Sequence, residues 1–360
     1  MKLQTPRRPT AVTRLLLGLA LVACCAAARA QTPNAPTQTP AAATPTPAQS
    51  PTPAQSPVRL NVIVSDKKNR PVGELRQEDF RVEEEGVPQA ITSFSRAAVP
   101  VSYGVVVDNS GSMKPLLNVL TRTAASLLAA NQPGDEAMLS RFVGSDTIDV
   151  LADFTADPNV LAKGLSLMRT EGGQTAVIDA VYLNTVHVAG RRAEEPDRRR
   201  ALVLLTDGED RSSYYKLSEL EKLLAQTGVQ VFVIGIVVNL DKQEGFIRKS
   251  AKEKSVKLID TLTRKTGGRA FYPKDVPELI VAVNEIARDL RTQYVIGYQP
   301  SNPIRDGKFR KVEVKLSETA ATAAAGGNRT VHAREGYFAP GGKGAEKNES
   351  RDKSRRPPSP

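Results

Sequence analysis

Three strand-length runs in this chain contain almost nothing but apolar residues: Tyr103-Gly104-Val105-Val106-Val107, Ala201 to Leu205, and Val229 to Val238. A strand exposed to water on one face alternates apolar and polar residues. An unbroken apolar run of this length belongs to a strand covered on both faces. Helical stretches separate the runs. Leu116, Leu117, Leu120, Ala124, Leu127 and Leu128 share one face after the first run, and further helices are expected over Pro158–Met168, Ala176–Val188, Lys216–Gln226, Leu258–Lys265 and Val276–Leu290. Ala137 to Phe142, Thr147 to Phe154 and Ala270-Phe271-Tyr272 add strands, while Lys249 to Lys257 reads as a basic, broken helix with a solvated face. Strand and helix alternating at this spacing predict an α/β fold, with a doubly wound, mainly parallel sheet covered on both sides.

On either side of this unit the texture is different. Val58 to Val64 alternates, Asn69-Arg70-Pro71-Val72 makes a turn, Phe80 to Glu83 alternates again before Glu85-Gly86, and Ile91 to Phe94 closes the set. Beyond the α/β unit, Tyr294 to Tyr298, Arg310 to Leu316 and Thr330 to Phe338 are strand candidates, with Asp306-Gly307 as a turn. Neither set has enough strands to close a core alone. The α/β unit is therefore expected to be inserted in, or flanked by, a small β-sandwich made from N- and C-terminal strands. Two separate small sheets are the alternative. The expected divisions are 58–97 for the N-terminal β segment, 98–292 for the α/β domain and 293–339 for the C-terminal β segment.

The ends of the chain do not read as fold. Arg7, Arg8 and Arg14 precede the apolar run Leu15 to Ala23, and Ala28-Arg29-Ala30 supplies small residues for cleavage, so 1–30 is expected to be an export signal. Leu21-Val22-Ala23-Cys24 also fits the pattern at which bacterial lipoproteins are cut and acylated. Soluble export is preferred here, and a lipid anchor at Cys24 is the alternative and the one route to a membrane. Residues 31–57 are Pro/Thr/Ala/Gln without charge, repeat Thr-Pro-Ala-Gln-Ser-Pro, and read as a disordered linker. Residues 340–360 read as a disordered basic tail.

Both cysteines, Cys24 and Cys25, lie in the signal, so cleavage after Ala30 would remove every thiol and with it any disulfide or cysteine–zinc site. The net charge of +11 also resides in the ends. The signal holds five bases and no acid, and the tail six bases against three acids, which leaves +3 for the rest. A nucleic-acid binder concentrates its bases on a folded face, so nucleic acid is not expected as a partner.

Chemistry gathers where apolar strands end. Asp108 closes the first run and opens Asp108-Asn109-Ser110-Gly111-Ser112; Asp207 closes another in Thr206-Asp207-Gly208; Thr175 follows Gly172-Gly173 at the start of a helix. Open α/β sheets bind ligands outside the carboxyl ends of their strands. Three loops at that edge thus offer only hard oxygen donors, a set suited to Mg²⁺, Mn²⁺ or Ca²⁺ rather than zinc or copper.

Asp-x-Ser-Gly-Ser-Met at 108–113, Thr175 and Thr-Asp-Gly at 206–208 together resemble the metal-ion-dependent adhesion site of von Willebrand factor type A domains, over about residues 98–292. The resemblance implies that Ser110 and Ser112 ligate the metal directly, Thr175 does so when ligand is bound, and Asp108 and Asp207 act largely through water. It also implies a protein partner whose Asp or Glu completes the coordination. Phe80-Arg81-Val82, Tyr294 to Tyr298 and Arg334-Glu335-Gly336-Tyr337 resemble the flanks of a bacterial secreted subgroup.

The expected function is a non-enzymatic, metal-dependent binding module for adhesion or assembly, exported or held in the bacterial envelope. The alternative is a scaffold subunit in which the metal only stabilises the site. Haloacid-dehalogenase-type phosphatases also start from an Asp at a first strand end, but need a second carboxylate two residues on, where this chain has Ser110. A serine hydrolase lacks its base, since neither His187 nor His332 belongs beside Ser110 or Ser112. Glu209 and Asp210 read as solvated turn residues, and Tyr214 and Tyr215 as candidate rim contacts or packing residues.

Overall fold

The computed structural model describes residues 57–96, 98–169, 171–195, 197–237, 246–322 and 328–341. The export signal, including Cys24, falls outside these residues, as do nearly all of the expected linker and tail.

A six-stranded sheet forms the centre. Its strands are β5 (Val101–Asp108), β6 (Glu136–Phe142), β7 (Ile148–Thr155), β8 (Arg199–Thr206), β9 (Gln230–Gly235) and β10 (Ala270–Phe271). They lie in the order β10-β9-β8-β5-β6-β7. All neighbours are parallel except β6 and β7. Every residue of β5 and β9 is buried, as their apolar composition requires.

Helices cover both faces. On one, α1 (Leu117–Ala129), α2 (Pro158–Ser166) and α6 (Val276–Asp289) bring Leu120, Leu127, Leu161, Leu279 and Ile286 against Tyr103, Val105 and Val107. On the other, α3 (Val177–Gly190), α4 (Leu217–Thr227) and α5 (Phe246–Thr266) bring Val181, Leu220, Leu224, Ile259 and Leu262 against Val106, Leu204 and Val231. The stretch expected to be a broken basic helix is continuous with the next one. Ser255, Leu258, Ile259, Leu262 and Thr263 are buried at helical spacing, while Glu253, Lys254 and Lys257 face solvent. The charges occupy one face of α5 and do not interrupt it.

The flanking strands interleave. The first sheet runs β13-β1-β11-β4, from β1 (Val58–Ser65), β4 (Ile91–Ser95), β11 (Tyr294–Tyr298) and β13 (Thr330–His332). The second runs β14-β12-β2-β3, from β2 (Phe80–Glu84), β3 (Val87–Gln89), β12 (Phe309–Leu316) and β14 (Gly336–Phe338). Every pair is antiparallel, and only β2–β3 and β12–β14 join strands from the same end of the chain. Glu85 and Gly86 turn the β2–β3 hairpin with φ of 51° and 79°, the left-handed pair that a two-residue hairpin uses.

Both sheets contribute to one core, in which Leu60, Val62, Phe80 and Val82 meet Tyr294, Ile296, Tyr298, Val312 and Tyr337. The stretch 330–338, expected as one strand, forms two in different sheets, because the chain crosses the sandwich at Ala333-Arg334-Glu335. A short helix, α7 (Glu318–Thr322), precedes β13.

The sandwich sits at the amino edge of the central strands. Ile63 of β1 enters the α/β core, Arg59 pairs with Asp197 just before β8, and Arg269 donates from Nη2 to the Asn69 carbonyl at 2.7 Å. The opposite, carboxyl edge is left for the loops that carry the candidate site.

Candidate functional site

Asp108 is the last residue of β5 and has no exposed surface. One carboxylate oxygen, Oδ1, accepts from the Ser110 amide at 3.0 Å, which curls the loop back on its strand. The other, Oδ2, accepts from the Thr206 hydroxyl at 2.6 Å and so locks the end of β5 to the end of β8. Ser110 then leads into a 3₁₀ turn, Gly111–Leu116, anchored by the buried Met113. Across Gly111, the Ser110 and Ser112 hydroxyls lie 3.0 Å apart.

The third loop closes on the first. Ser112 Oγ donates to Asp207 Oδ2 at 2.7 Å, and Asp207 Oδ1 accepts the Glu209 amide at 3.0 Å. Gly208 has φ of +76°, and a Cβ there would lie 2.8 Å from Ile259 Cδ1. Glycine is therefore required twice over, by conformation and by space.

The loop with Thr175 lies against both others. Its carbonyl accepts the Arg211 and Ser212 amides at 2.8 and 3.1 Å, and the Ala176 amide donates to the Val143 carbonyl at 3.1 Å. On the side of the first loop, the Glu171 amide donates to the Asn109 carbonyl at 3.2 Å and Asn109 Nδ2 to the Arg169 carbonyl at 2.7 Å. Asp108, Ser110, Ser112 and Asp207 thus form one chain of hydrogen bonds. Thr175, itself buried, is not bonded to any of these four; its carbonyl holds the Arg211 and Ser212 amides of the loop that follows Asp207.

The electrostatics follow from this geometry. Burial, and then the negative charge of Asp207, push the Asp108 carboxyl up to about 7, against hydrogen bonds from Ser110 and Thr206 that hold it down. The two carboxylates are near enough to interact, with the Ser110 and Ser112 hydroxyls bonded to each other and Ser112 to Asp207. Among the described residues no group of three or more His, Cys, Asp or Glu side chains is placed to hold a metal ion. The donor set here is made of hydroxyls and two carboxylates, all hard oxygens, and it fits a hard divalent cation.

Both histidines stand outside this edge. His187 bonds Asp153 at 2.8 Å and stacks on Phe154, and His332 lies 3.2 Å from Ser65 Oγ in the sandwich. Glu209 and Asp210, expected to be solvated, are both engaged. Glu209 pairs with Arg211 at 2.6 Å, and Asp210 Oδ1 accepts the Ile178 amide at 3.1 Å and the Ser213 hydroxyl at 2.5 Å. Sequence reasoning misses Asp179, although an acid among Val177, Ile178, Ala180 and Val181 is the visible sign of a buried carboxylate with a structural partner.

Residues 104–282 match the family model of the von Willebrand factor type A domain. The chain carries a VWA domain. No curated protein matches the chain. Several solved structures resemble it. The conserved hypothetical protein BatB from Bacteroides thetaiotaomicron is 19% identical, with 52% of this chain and 98% of that chain covered and a TM-score of 0.40. A mutant of the PilB minor pilin from Streptococcus sanguinis is 12% identical, with 53% of this chain and 61% of that chain covered and a TM-score of 0.40. The pilus adhesin SpaC from Lactobacillus rhamnosus GG, in its open conformation, is 12% identical, with 76% and 48% covered and a TM-score of 0.42. The VWA domain is a protein-interaction module, and its carboxyl edge carries the loops with Asp108, Ser110, Ser112, Thr175 and Asp207. Among the described residues no helix is long and apolar enough to cross a membrane.

Proposed function

We propose that this VWA domain captures a protein ligand through a divalent cation, Mg²⁺, Mn²⁺ or Ca²⁺, held by Ser110, Ser112 and Thr175 and supported by Asp108 and Asp207. The observation that carries this is the approach of two carboxylates, Asp108 fully buried, to the paired Ser110 and Ser112 hydroxyls, with Ser112 donating to Asp207. Such an arrangement is poorly balanced by itself and is relieved by a positive charge at the serine hydroxyls.

When bound, the cation supplies a positive centre to which an outside carboxylate can attach. Ser110, Ser112 and Thr175 are neutral donors, so they leave most of that charge for an Asp or Glu of the partner. Asp108 and Asp207 orient the loop hydroxyls, as they already do through Thr206 and Ser112. No acid–base pair accompanies Asp108, since position 110 is serine, and we read the module as non-catalytic. We further read 1–30 as an export signal, which places the module outside the cytoplasm or in the bacterial envelope, with acylation at Cys24 as the alternative route to a membrane.

The test is calorimetric titration of Mg²⁺ and Mn²⁺ into wild type, Asp108→Ala and Asp207→Ala, in the presence and absence of a peptide with a single Glu. Wild type is expected to bind metal weakly alone and more tightly with the peptide, because the two ligands are linked. Both variants are expected to lose metal binding while keeping the wild-type far-ultraviolet spectrum. Equal metal binding by all three proteins would remove these carboxylates from the mechanism.

A further inference from the structure

Strand β6 is buried along its whole length, yet its sixth residue is an arginine. Arg141 is 5% exposed and stands one residue from the carboxyl end of the strand, opposite Val107 of β5. Taking a guanidinium out of water is costly unless its donors are paired. Three acceptors meet it. Nη2 donates to Asp149 Oδ2 of β7 at 3.1 Å, and Nη1 donates to Glu171 Oε1 at 2.9 Å and to the Arg169 carbonyl at 3.3 Å.

The first of these partners lies within the sheet. The other two belong to the loop that runs from α2 to Thr175, whose described residues lie outside any strand or helix. A buried ion pair is weak evidence of stabilisation, because desolvation offsets much of the attraction. What a guanidinium adds is direction, since its donors form a rigid planar fork that fixes where the acceptors stand. The Glu171 carboxyl is held below the usual carboxylate range, first by its bond to Arg141 and then by its bond to Arg169.

The same strand end also holds the loop of the serines. The Asn109 amide donates to the Phe142 carbonyl at 2.8 Å, and the Ala176 amide donates to the Val143 carbonyl at 3.1 Å. Arg141, Phe142 and Val143 are consecutive, so one short stretch grips Asn109, Glu171 and the residue after Thr175. The two loops are joined to each other as well. The Glu171 amide donates to the Asn109 carbonyl at 3.2 Å, and the Arg169 carbonyl is shared by Asn109 Nδ2 and Arg141 Nη1. Between Glu171 and Thr175 the chain has little slack, for a Cβ at Gly173 would lie 2.6 Å from Val143 Cγ1. Thr175 is thus tied on both sides, at Glu171 by Arg141 and at Ala176 by Val143.

Resting on the metal-dependent capture proposed above, we infer that Arg141 is a positioning residue for the metal site. It acts through Glu171 and the Arg169 carbonyl, which it holds so that Thr175 keeps its place relative to the serine loop. The third hydroxyl donor is then in position before the cation arrives, and the cation does not have to order the loop itself.

The test uses the full chain as wild type, Glu171→Ala, Glu171→Gln and Arg141→Lys. Amide exchange is followed by nuclear magnetic resonance in the metal-free proteins, and Mn²⁺ is titrated by calorimetry. Glu171→Ala deletes the loop carboxylate from a half-exposed position and leaves β6 untouched. It is expected to speed exchange of the amides at 171 and 176 roughly tenfold while those of β5 and β8 stay as protected as in wild type. It is also expected to weaken Mn²⁺ binding about tenfold, the loss usual for a group that orients a metal ligand. Glu171→Gln keeps an acceptor for Nη1 and should recover most of that affinity. Arg141→Lys puts a point charge in place of the fork and should follow Glu171→Ala; if it unfolds, the Glu171 variants decide. Wild-type exchange at 171 and 176 in Glu171→Ala, or a loosened loop with wild-type Mn²⁺ affinity, overturns the inference. Failure of the wild type to bind Mn²⁺ removes the metal site instead, and the exchange rates still decide whether Arg141 holds the loop.

Discussion

Removing everything after Arg291 should unfold the first β segment while the VWA domain persists. The cut deletes β11 to β14. It leaves β1 without either neighbour, since β1 pairs only with β11 and β13, and leaves β2 with the three-residue β3 alone. Val58, Leu60, Val62, Val64, Phe80 and Val82, each at most 6% exposed, would lose the tyrosines and aliphatic residues that cover them. At about 1.5–3 kcal/mol for each fully buried apolar side chain, the loss is roughly 9–18 kcal/mol. That equals or exceeds the about 5–15 kcal/mol that holds a whole domain folded, so the segment is left with no stable folded form. The α/β unit keeps its two cores but gives up Ile63, whose withdrawal resembles a large-to-small core change worth about 2–5 kcal/mol. Hydrogen exchange read by mass spectrometry should show the amides of 58–65 exchanging without measurable protection in the truncated chain, and those of β5 and β8 still protected. Protection of 58–65 in that chain would mean that β1 does not depend on its C-terminal neighbours, and the interleaved sandwich would not be what folds it.

Glu84→Ala removes the acceptor of both the Tyr298 and Tyr337 hydroxyls, at 2.7 and 3.0 Å in the sandwich core, and should cost about 2–5 kcal/mol in urea unfolding. Gly208→Ala forces a side chain into a left-handed conformation against Ile259 and should cost about 1–3 kcal/mol while weakening metal binding, measured by thermal unfolding and calorimetry. His332 is held down to about 4, chiefly by burial and then by the positive charge of Arg269. Because its folded pKa lies below its unfolded value near 6.5, the unfolded chain binds the proton first as pH falls. The stability from neutral His332 is therefore complete above about 6.5 and lost as pH drops through about 4, by up to about 3 kcal/mol. His332→Gln should flatten this part of the stability–pH curve, and an unchanged slope would remove His332 as its source.

The parts of the fold that are legible in the sequence are those in which one residue pattern has one structural solution. The runs at 103–107 and 201–205 are apolar throughout because β5 and β8 are covered by helices on both faces, and their shortness between helical stretches marks them as strands. The site is legible for a related reason: Asp108 and Asp207 are acids at the ends of runs that otherwise reject charge. What escapes is set by contacts between loops distant in sequence. Asp179, Asn109 and Thr206 bond partners 35, 60 and 98 residues away, and no spacing rule announces such a partner. Thr206 reads as the last polar residue of a strand, and is the hydroxyl that ties Asp108 to β8. The basic stretch 249–257 misleads for the opposite reason, because a local run of charge reads as a break in a helix whose other face is buried by Ser255, Leu258 and Ile259.

The interleaved sandwich bears on how the site is presented. The described chain enters β1 at Val58 and leaves near Gly341, which bridges to Asp306 beyond β11. Both ends are therefore tied to the sandwich, and the sandwich is fixed to the amino edge of the central sheet through Ile63, Arg59 and Arg269. The candidate site is at the carboxyl edge. β5 links the two directly: Val101 follows soon after the sandwich strand β4, and Asp108 ends the same strand, about 23 Å away at the rise of an extended chain. Whatever precedes Val58 or follows Gly341 joins the molecule at the end remote from Asp108, Thr175 and Asp207. The same geometry separates the roles of the two folded parts. Substitutions in the sandwich core should change stability without changing what is bound, and substitutions at Ser112 or Asp207 should change binding while leaving the sandwich amides as protected as before.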